Sequence, residues 1–284
     1  MDESPAAAGL HTGPRAPGEE YIMAVDPRFE RPAATGNGGT HARAWEDLAV
    51  AEDHQGWLSR SRVFLTPIAA PSIMGLFGFM IATLMLGAWQ AGWYGTALTP
   101  VIIWPFALTA GGILQAIAAV ASFRARDGVA VAAHTAWGAF WIGWGILELL
   151  VTMKVLPPIP LGAANPSFAF WFIALTLVTS FAALGALGQS LGLFTVLSTL
   201  AAGSALTAAG FYAGSLATVQ AGGWLFVISA AAAWLTAGAM VLENSFGRTI
   251  IPLGKWSKAA NVPGGRVTDP IAYPAGMPGV RVGQ

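Results

Sequence analysis

The chain is polar through Arg62 and then turns apolar in six long runs. They span approximately Thr66–Trp89, Gly95–Ala121, Gly128–Met153, Phe168–Leu187, Gly192–Thr218 and Gly222–Leu242. Each run is near the roughly 20 residues that an α-helix needs to cross a bilayer. The pattern predicts an all-α membrane protein, a six-transmembrane-helix bundle. Residues 1–62 form an acidic tail rich in Pro, Gly and Ala with no sustained apolar period. That composition predicts disorder, with a short amphipathic helix around Ala44–Leu58. Residues 63–255 hold the membrane domain, and residues 256–284 form a second tail rich in Pro and Gly. Connections are short, except for the proline-rich loop around Pro157–Pro166.

The first run has a broken opening. Ala70-Pro71-Ser72-Ile73-Met74-Gly75-Leu76-Phe77-Gly78-Phe79 places a proline and two close glycines where a simple anchor needs none. Irregular backbone at membrane depth is tolerated where it lines a cavity; close packing of helices on the glycines is the alternative. In the second run Pro100 suits a helix start, whereas Pro105 is expected to kink the span and free a carbonyl. Gln115 adds an amide within the same run, available to a substrate or to another helix.

Composition agrees with the membrane reading. The chain is 55% hydrophobic and 10% charged, where a soluble domain has roughly 25% charged residues. Net charge is zero, but ten of the 14 acids lie before residue 54. Without cysteine there is no disulfide framework and no thiolate metal site. The polar N-terminus shows no apolar core of a cleavable signal peptide. Arg60, Arg62, Arg124, Arg126, Arg248, Lys255 and Lys258 flank the runs on one side, against Lys154 on the other. That asymmetry places both termini in the cytoplasm. Trp89, Trp93, Trp224 and Trp256 are candidates for the interfacial aromatic belt.

No Ser/His/Asp constellation, metal-spaced histidine cluster or phosphate-cradling loop is visible, so neither an enzyme nor a cofactor or metal is expected. An acidic tail and no basic face argue against nucleic acid. The ionisable groups within the runs are His134 and Glu148, with Glu243 at the rim of the sixth. Such residues mark functional sites by default, because lipid penalises them. Glu148 lies about a turn and a half before Lys154, so a rim ion pair competes with a proton site. For His134, a bond to a neighbouring helix competes with a proton-relay role. His134, Trp137, Trp141, Trp144 and Glu148 step by three or four residues. At about 100° per residue they fall within an arc of roughly 80°, a ladder of indoles with a titratable group at each end. Packing and a hydrophobic constriction are rival readings of that ladder.

Several strings carry a resemblance. Leu242-Glu243-Asn244-Ser245-Phe246-Gly247-Arg248-Thr249-Ile250-Ile251-Pro252-Leu253-Gly254 resembles the FGRTxxPxG signature that closes the acetate-uptake transporter family (the YaaH or SatP type). Gly111–Gln115 resembles its GGIxQ element, Gly138-Ala139-Phe140-Trp141 its G-S-F-W segment, and Ala70–Phe79 its N-P-A-P-L-G-L opening followed by G-F. The resemblance covers about Thr66 to Lys255. It implies a six-helix protomer with its own pore, assembled as a hexamer, that moves acetate or another small carboxylate with a proton. The implied constriction falls on Phe79, Trp137 and Leu200, the tryptophan standing where the family has tyrosine. Pro71, Ser72, Gly75 and Gln115 fall at the pore entrance as substrate contacts. Ala70 and Ile73 replace an Asn and a Pro of the family's opening motif; Ser122 and Met240 replace two of its acids.

Taken together, these features predict uptake of an acetate-like monocarboxylate with a proton, with His134 or Glu148 as the proton site. The expected partners are that substrate, the proton, the lipid of a cell (cytoplasmic or inner) membrane and further copies of the chain. Two other readings stand beside it. One is a non-transporting membrane subunit whose long tails bind a protein partner. The other is a channel for small neutral solutes.

Overall fold

Six helices, each long and apolar enough to cross a membrane, carry the architecture of the computed structural model. The structure describes residues 62–65, 68–96, 98–255 and 271–274. The helices are α1 (Ser72–Gln90), α2 (Thr99–Ala125), α3 (Gly128–Thr152), α4 (Pro166–Ala186), α5 (Leu191–Ala213) and α6 (Leu216–Phe246). A short antiparallel ribbon pairs β1 (Arg62–Leu65) with β2 (Ile271–Pro274). Nothing in the apolar pattern predicts this ribbon, which joins the two flanks of the membrane domain outside the bundle. Most of the two tails, with the amphipathic helix at 44–58 and Trp256, lies outside the described residues.

The helix boundaries follow local chemistry. Asp127, Asn165, Ser190 and Ser215 stand at the N-termini of α3 to α6. Their side-chain oxygens accept the backbone N–H of Ala130, Phe168, Leu193 and Thr218 at 3.0 to 3.4 Å. Each cap satisfies a donor that would otherwise have no partner in the first turn. Gly214 turns left-handed at φ 68° and ends α5, and α6 starts at Leu216. The sequence reading carried the fifth span to Thr218 and began the sixth at Gly222; the glycine and the serine cap move that junction. The first helix likewise starts at Ser72, later than its apolar run, because a residue before proline avoids the helical region and Pro71 occupies the cap position.

Pro105 is followed by a change in helical winding. The chain continues through it and winds into a π-helical segment, Ala107–Ile113, inside α2. The Thr109 hydroxyl donates to the Pro105 carbonyl at 2.8 Å, supplying part of the bonding that the wider turn and missing N–H disrupt.

The helices form a closed ring in the order α1, α6, α5, α4, α3, α2. Small residues bring backbones together at two seams. A Cβ on Gly87 would lie 3.2 Å from the Gly223 carbonyl across α1 and α6, and one on Gly203 would lie 3.1 Å from the Gly222 carbonyl across α5 and α6. The seam between α3 and α4 is looser, with a cleft of about 340 Å³ bordered by Gly143, Trp144, Phe168 and Trp171. Trp93 and Trp224 meet edge-on at 5.1 Å and are half exposed, as belt residues should be. Trp89 packs against the core instead.

The segment after α6 returns to the bundle. Gly247 caps α6 at φ 65°, Thr249 donates its hydroxyl to Glu243 Oε1 at 3.1 Å, and Leu253 is buried against Gly192. The amides of Leu191 and Gly192 donate to the carbonyls of Gly254 and Leu253 at 3.2 and 2.9 Å. These amides open α5 and have no partner within the helix, so the returning strap completes it. Gly247, Thr249, Leu253 and Gly254 of the closing signature thereby have structural roles.

Candidate functional site

The ring encloses an aromatic interior. Trp137 on α3 stands edge-on to Phe79 on α1, with ring centroids 6.0 Å apart. It also meets Phe226 of α6 at 6.1 Å and Phe140 of its own helix at 5.3 Å. Phe79, Trp137 and Leu200 are 3%, 2% and 1% exposed, so the interior is closed at this level. The structure therefore brings Phe79 and Trp137 into contact, and Leu200 of α5 lies in the same buried cluster. The Trp137 indole N–H donates to Thr179 Oγ1 of α4 at 3.0 Å.

The ladder on α3 is a single interior face. His134, Trp137, Trp141, Trp144 and Glu148 are all buried. Trp141 packs over Gly111 of the π segment, and its N–H has no partner. Thr83 Oγ1, one turn beyond Phe79 on α1, is likewise buried without a partner. Unpartnered buried polar atoms are uncommon in native proteins.

Toward one end of the ladder, His134 Nδ1 lies 3.3 Å from Gln115 Oε1, and Gln115 Nε2 donates to the Gly111 carbonyl at 2.8 Å. With the amide oriented that way, Nδ1 is the donor to Oε1. The imidazole covers Gly75, where any Cβ would overlap it. Five predicted residues lie toward this end of the ladder: Gly75 and His134 are in contact, His134 and Gln115 are hydrogen-bonded, and Pro71 and Ser72 are buried at the start of the helix that carries Gly75. Ser122 and Met240, which the resemblance sets in place of two acids, are both buried, the Ser122 hydroxyl on the Ala118 carbonyl.

At the other end, Glu148 is not paired with Lys154. Lys154 is exposed, in a left-handed turn at φ 63° just past α3. Glu148 faces inward, onto a cavity of about 20 Å³ shared with Gln90, Phe168, Phe172 and Phe211. The register of the helix decides this, since Glu148 continues the Trp137–Trp144 face and Lys154 lies beyond the last helical turn.

Sequence reasoning missed three residues of this interior. Phe226 is one apolar residue among many in its run and carries no periodic signal. Thr179 is one of several hydroxyls in the fourth run. Gln90 had a signal, as an amide at the close of an apolar run, but the predicted span stopped at Trp89. Gln90 is 2% exposed, and its Nε2 donates to Thr207 Oγ1 at 2.7 Å and to the Val219 carbonyl at 2.8 Å.

Comparison with known proteins places this geometry. The succinate-acetate/proton symporter SatP of Escherichia coli (strain K12) is 31% identical over 192 residues, covering 67% of this chain and 97% of that protein. A protein of Methanothermobacter thermautotrophicus is 29% identical over 191 residues, covering 65% of this chain and 90% of that one. The solved structure of the bacterial acetate channel SatP matches with a TM-score of 0.60 at 27% identity, over 66% of this chain and 100% of that one. These relatives are transporters and channels by description where an activity is given, not enzymes, and the six spans make this a multi-pass membrane protein. The sequence profile of the GPR1/FUN34/yaaH family matches residues 59–254, and the chain belongs to that family.

Proposed function

We propose that the protein takes up a small, acetate-like monocarboxylate together with a proton, past a constriction made by Phe79, Trp137 and Leu200. The observation that carries this reading is the edge-on contact of Phe79 and Trp137 in the closed interior of a chain similar to an acetate channel and a succinate-acetate/proton symporter. A bare carboxylate crossing this ring would lose its hydration, and the spans hold no Lys or Arg to replace it apart from Arg124, exposed in the last turn of α2. Moving the acid with a proton avoids that cost. Gly75, Pro71, Ser72 and Gln115 line the entrance in this reading, and the proton's site is His134 or Glu148. The basic residues flanking the spans put both termini in the cytoplasm. Further copies of the chain, six by family resemblance, would cover part of the exposed apolar surface.

Uptake of labelled acetate by proteoliposomes, with and without an imposed pH gradient, tests the proposal. Protein-dependent uptake stimulated by an acidic exterior is expected. Uptake indifferent to the gradient would favour a neutral-solute channel, a reading that the same lack of interior cations supports. No uptake by folded protein would favour a non-transporting subunit.

A further inference from the structure

The two titratable side chains on the α3 face differ in what surrounds them. His134 is engaged: its Nδ1 is bonded to Gln115, whose amide nitrogen is bonded in turn to Gly111, and its ring rests on Gly75. Glu148 is not. Among the described residues its carboxyl has no ion pair and no hydrogen bond within the protein, yet it lies on the wall of the 20 Å³ cavity. No other titratable side chain lines that cavity.

Gln90, on the same wall, is held in one orientation. The Val219 carbonyl can only accept, so it fixes which end of the amide is nitrogen. Thr207 Oγ1 takes the second contact of that nitrogen. Gln90 therefore has only Oε1, an acceptor, to offer the cavity. An ionised carboxylate and an amide oxygen set around one space are both acceptors, which a donor between them would satisfy. The space exceeds the roughly 10–15 Å³ that a single water needs and has polar partners for one.

Resting on the transport reading above, we propose that Glu148 is the residue that takes up and releases the coupled proton, through a single water held between its carboxyl and Gln90 Oε1. The transfer balances within the site. The ionised Glu148 gains a proton from that water as the water is reprotonated from the mouth. It then gives the proton to the carboxylate of the passing acid anion, which leaves as the neutral acid while Glu148 returns to its ionised form. Walls of Trp144, Phe168, Phe172 and Phe211 exclude further water, so the proton has one stop between the mouth and the Phe79–Trp137 contact.

The test uses full-length protein in vesicles and two assays: exchange of labelled for unlabelled acetate at equal pH, and gradient-driven uptake, each corrected for protein-free vesicles. Glu148→Gln should retain exchange within about twofold of wild type and lose all stimulation by the pH gradient. Glu148→Asp should restore part of the stimulation. Gradient-stimulated uptake by Glu148→Gln, or equal loss of exchange and uptake in folded Glu148→Gln, would overturn the proposal. Should that variant fail to fold, infrared difference spectra of the wild type decide. A carboxylic-acid carbonyl band that changes on acetate addition is expected, and its absence would overturn the assignment. Wild-type protein inactive in both assays would instead sink the transport reading itself.

Discussion

The indole N–H of Trp137 donates to Thr179 Oγ1 at 3.0 Å, and both side chains are almost wholly buried. The bond ties Trp137 to α4. Thr179→Val keeps the shape but leaves the indole N–H without a partner, which should cost about 1–3 kcal/mol. Trp137→Phe in the same background removes the orphaned donor and should recover part of that loss. Thermal unfolding in detergent of the two single variants and the double variant measures the coupling.

Gly75 and His134 make a second coupled pair. Gly75→Ala puts a methyl into the imidazole, and overpacking of this kind typically costs about 1–3 kcal/mol. His134→Ala should rescue Gly75→Ala by vacating the space, visible as recovered melting temperature and acetate uptake. An unaffected Gly75→Ala single variant would show that the ring does not rest there.

Leu200→Ala should widen the constriction. The variant loses about 2–5 kcal/mol of stability, as buried leucine truncations do, but should transport larger carboxylates relative to acetate. Competition of labelled acetate uptake by acids of increasing chain length reads the change. Unaltered selectivity in an active variant would remove Leu200 from the constriction.

Asp127, at the cap of α3 outside the span, gives a pH-dependent prediction. Burial raises its pKa above the ordinary 3.8, opposed by hydrogen bonds from the Ala130 amide and the Gln189 side chain. The folded state therefore binds this proton more tightly than the unfolded state does. Stability from this group is present below the ordinary value and falls as pH rises toward the folded value. Asp127→Asn preserves the cap, since asparagine is an equally good N-cap, and removes the titration. Its melting temperature should gain on wild type between pH 4 and pH 7.

Gly254 holds the returning strap at φ 61°. Gly254→Ala forces a side chain into the left-handed region at about 1–2 kcal/mol, and should loosen Leu253 from Gly192. Faster hydrogen exchange at the Leu191 and Gly192 amides, with little change elsewhere, is the expected signature.

Much of this architecture was legible in the residues, because bilayer thickness forces a span to declare itself by length. The α3 ladder was legible too: tryptophans at three- and four-residue spacing must share a face. What the apolar pattern could not carry was pairing across helices. Phe226 meets Trp137, and Gln90 meets Thr207 and Val219, through the ring order, which depends on packing of small residues at seams and leaves no one-dimensional trace. The orientation of Glu148 was open for a related reason. Its nearest cation in sequence, Lys154, was visible, whereas the cavity formed by α1, α4 and α5 was not. Pro105 predicts a disturbed helix because a missing N–H breaks the α ladder; the wider turn that follows it, with Thr109 bonded to the Pro105 carbonyl and Trp141 seated over Gly111, has no signature in the apolar pattern.

The cleft between α3 and α4 has a mechanical consequence. A solute wider than the closed aromatic aperture has to dilate the hoop of helices somewhere. At the α1/α6 and α5/α6 seams backbones already touch and leave no slack. Between α3 and α4 there is free volume, and the Trp137–Thr179 bond ties the same two helices together. Strain from a passing solute should gather there, as a hose clamp yields at its screw. In the transport reading proposed above, Trp137 serves both as part of the aperture and as its fastening, and the rate of passage should depend on how often that fastening slips.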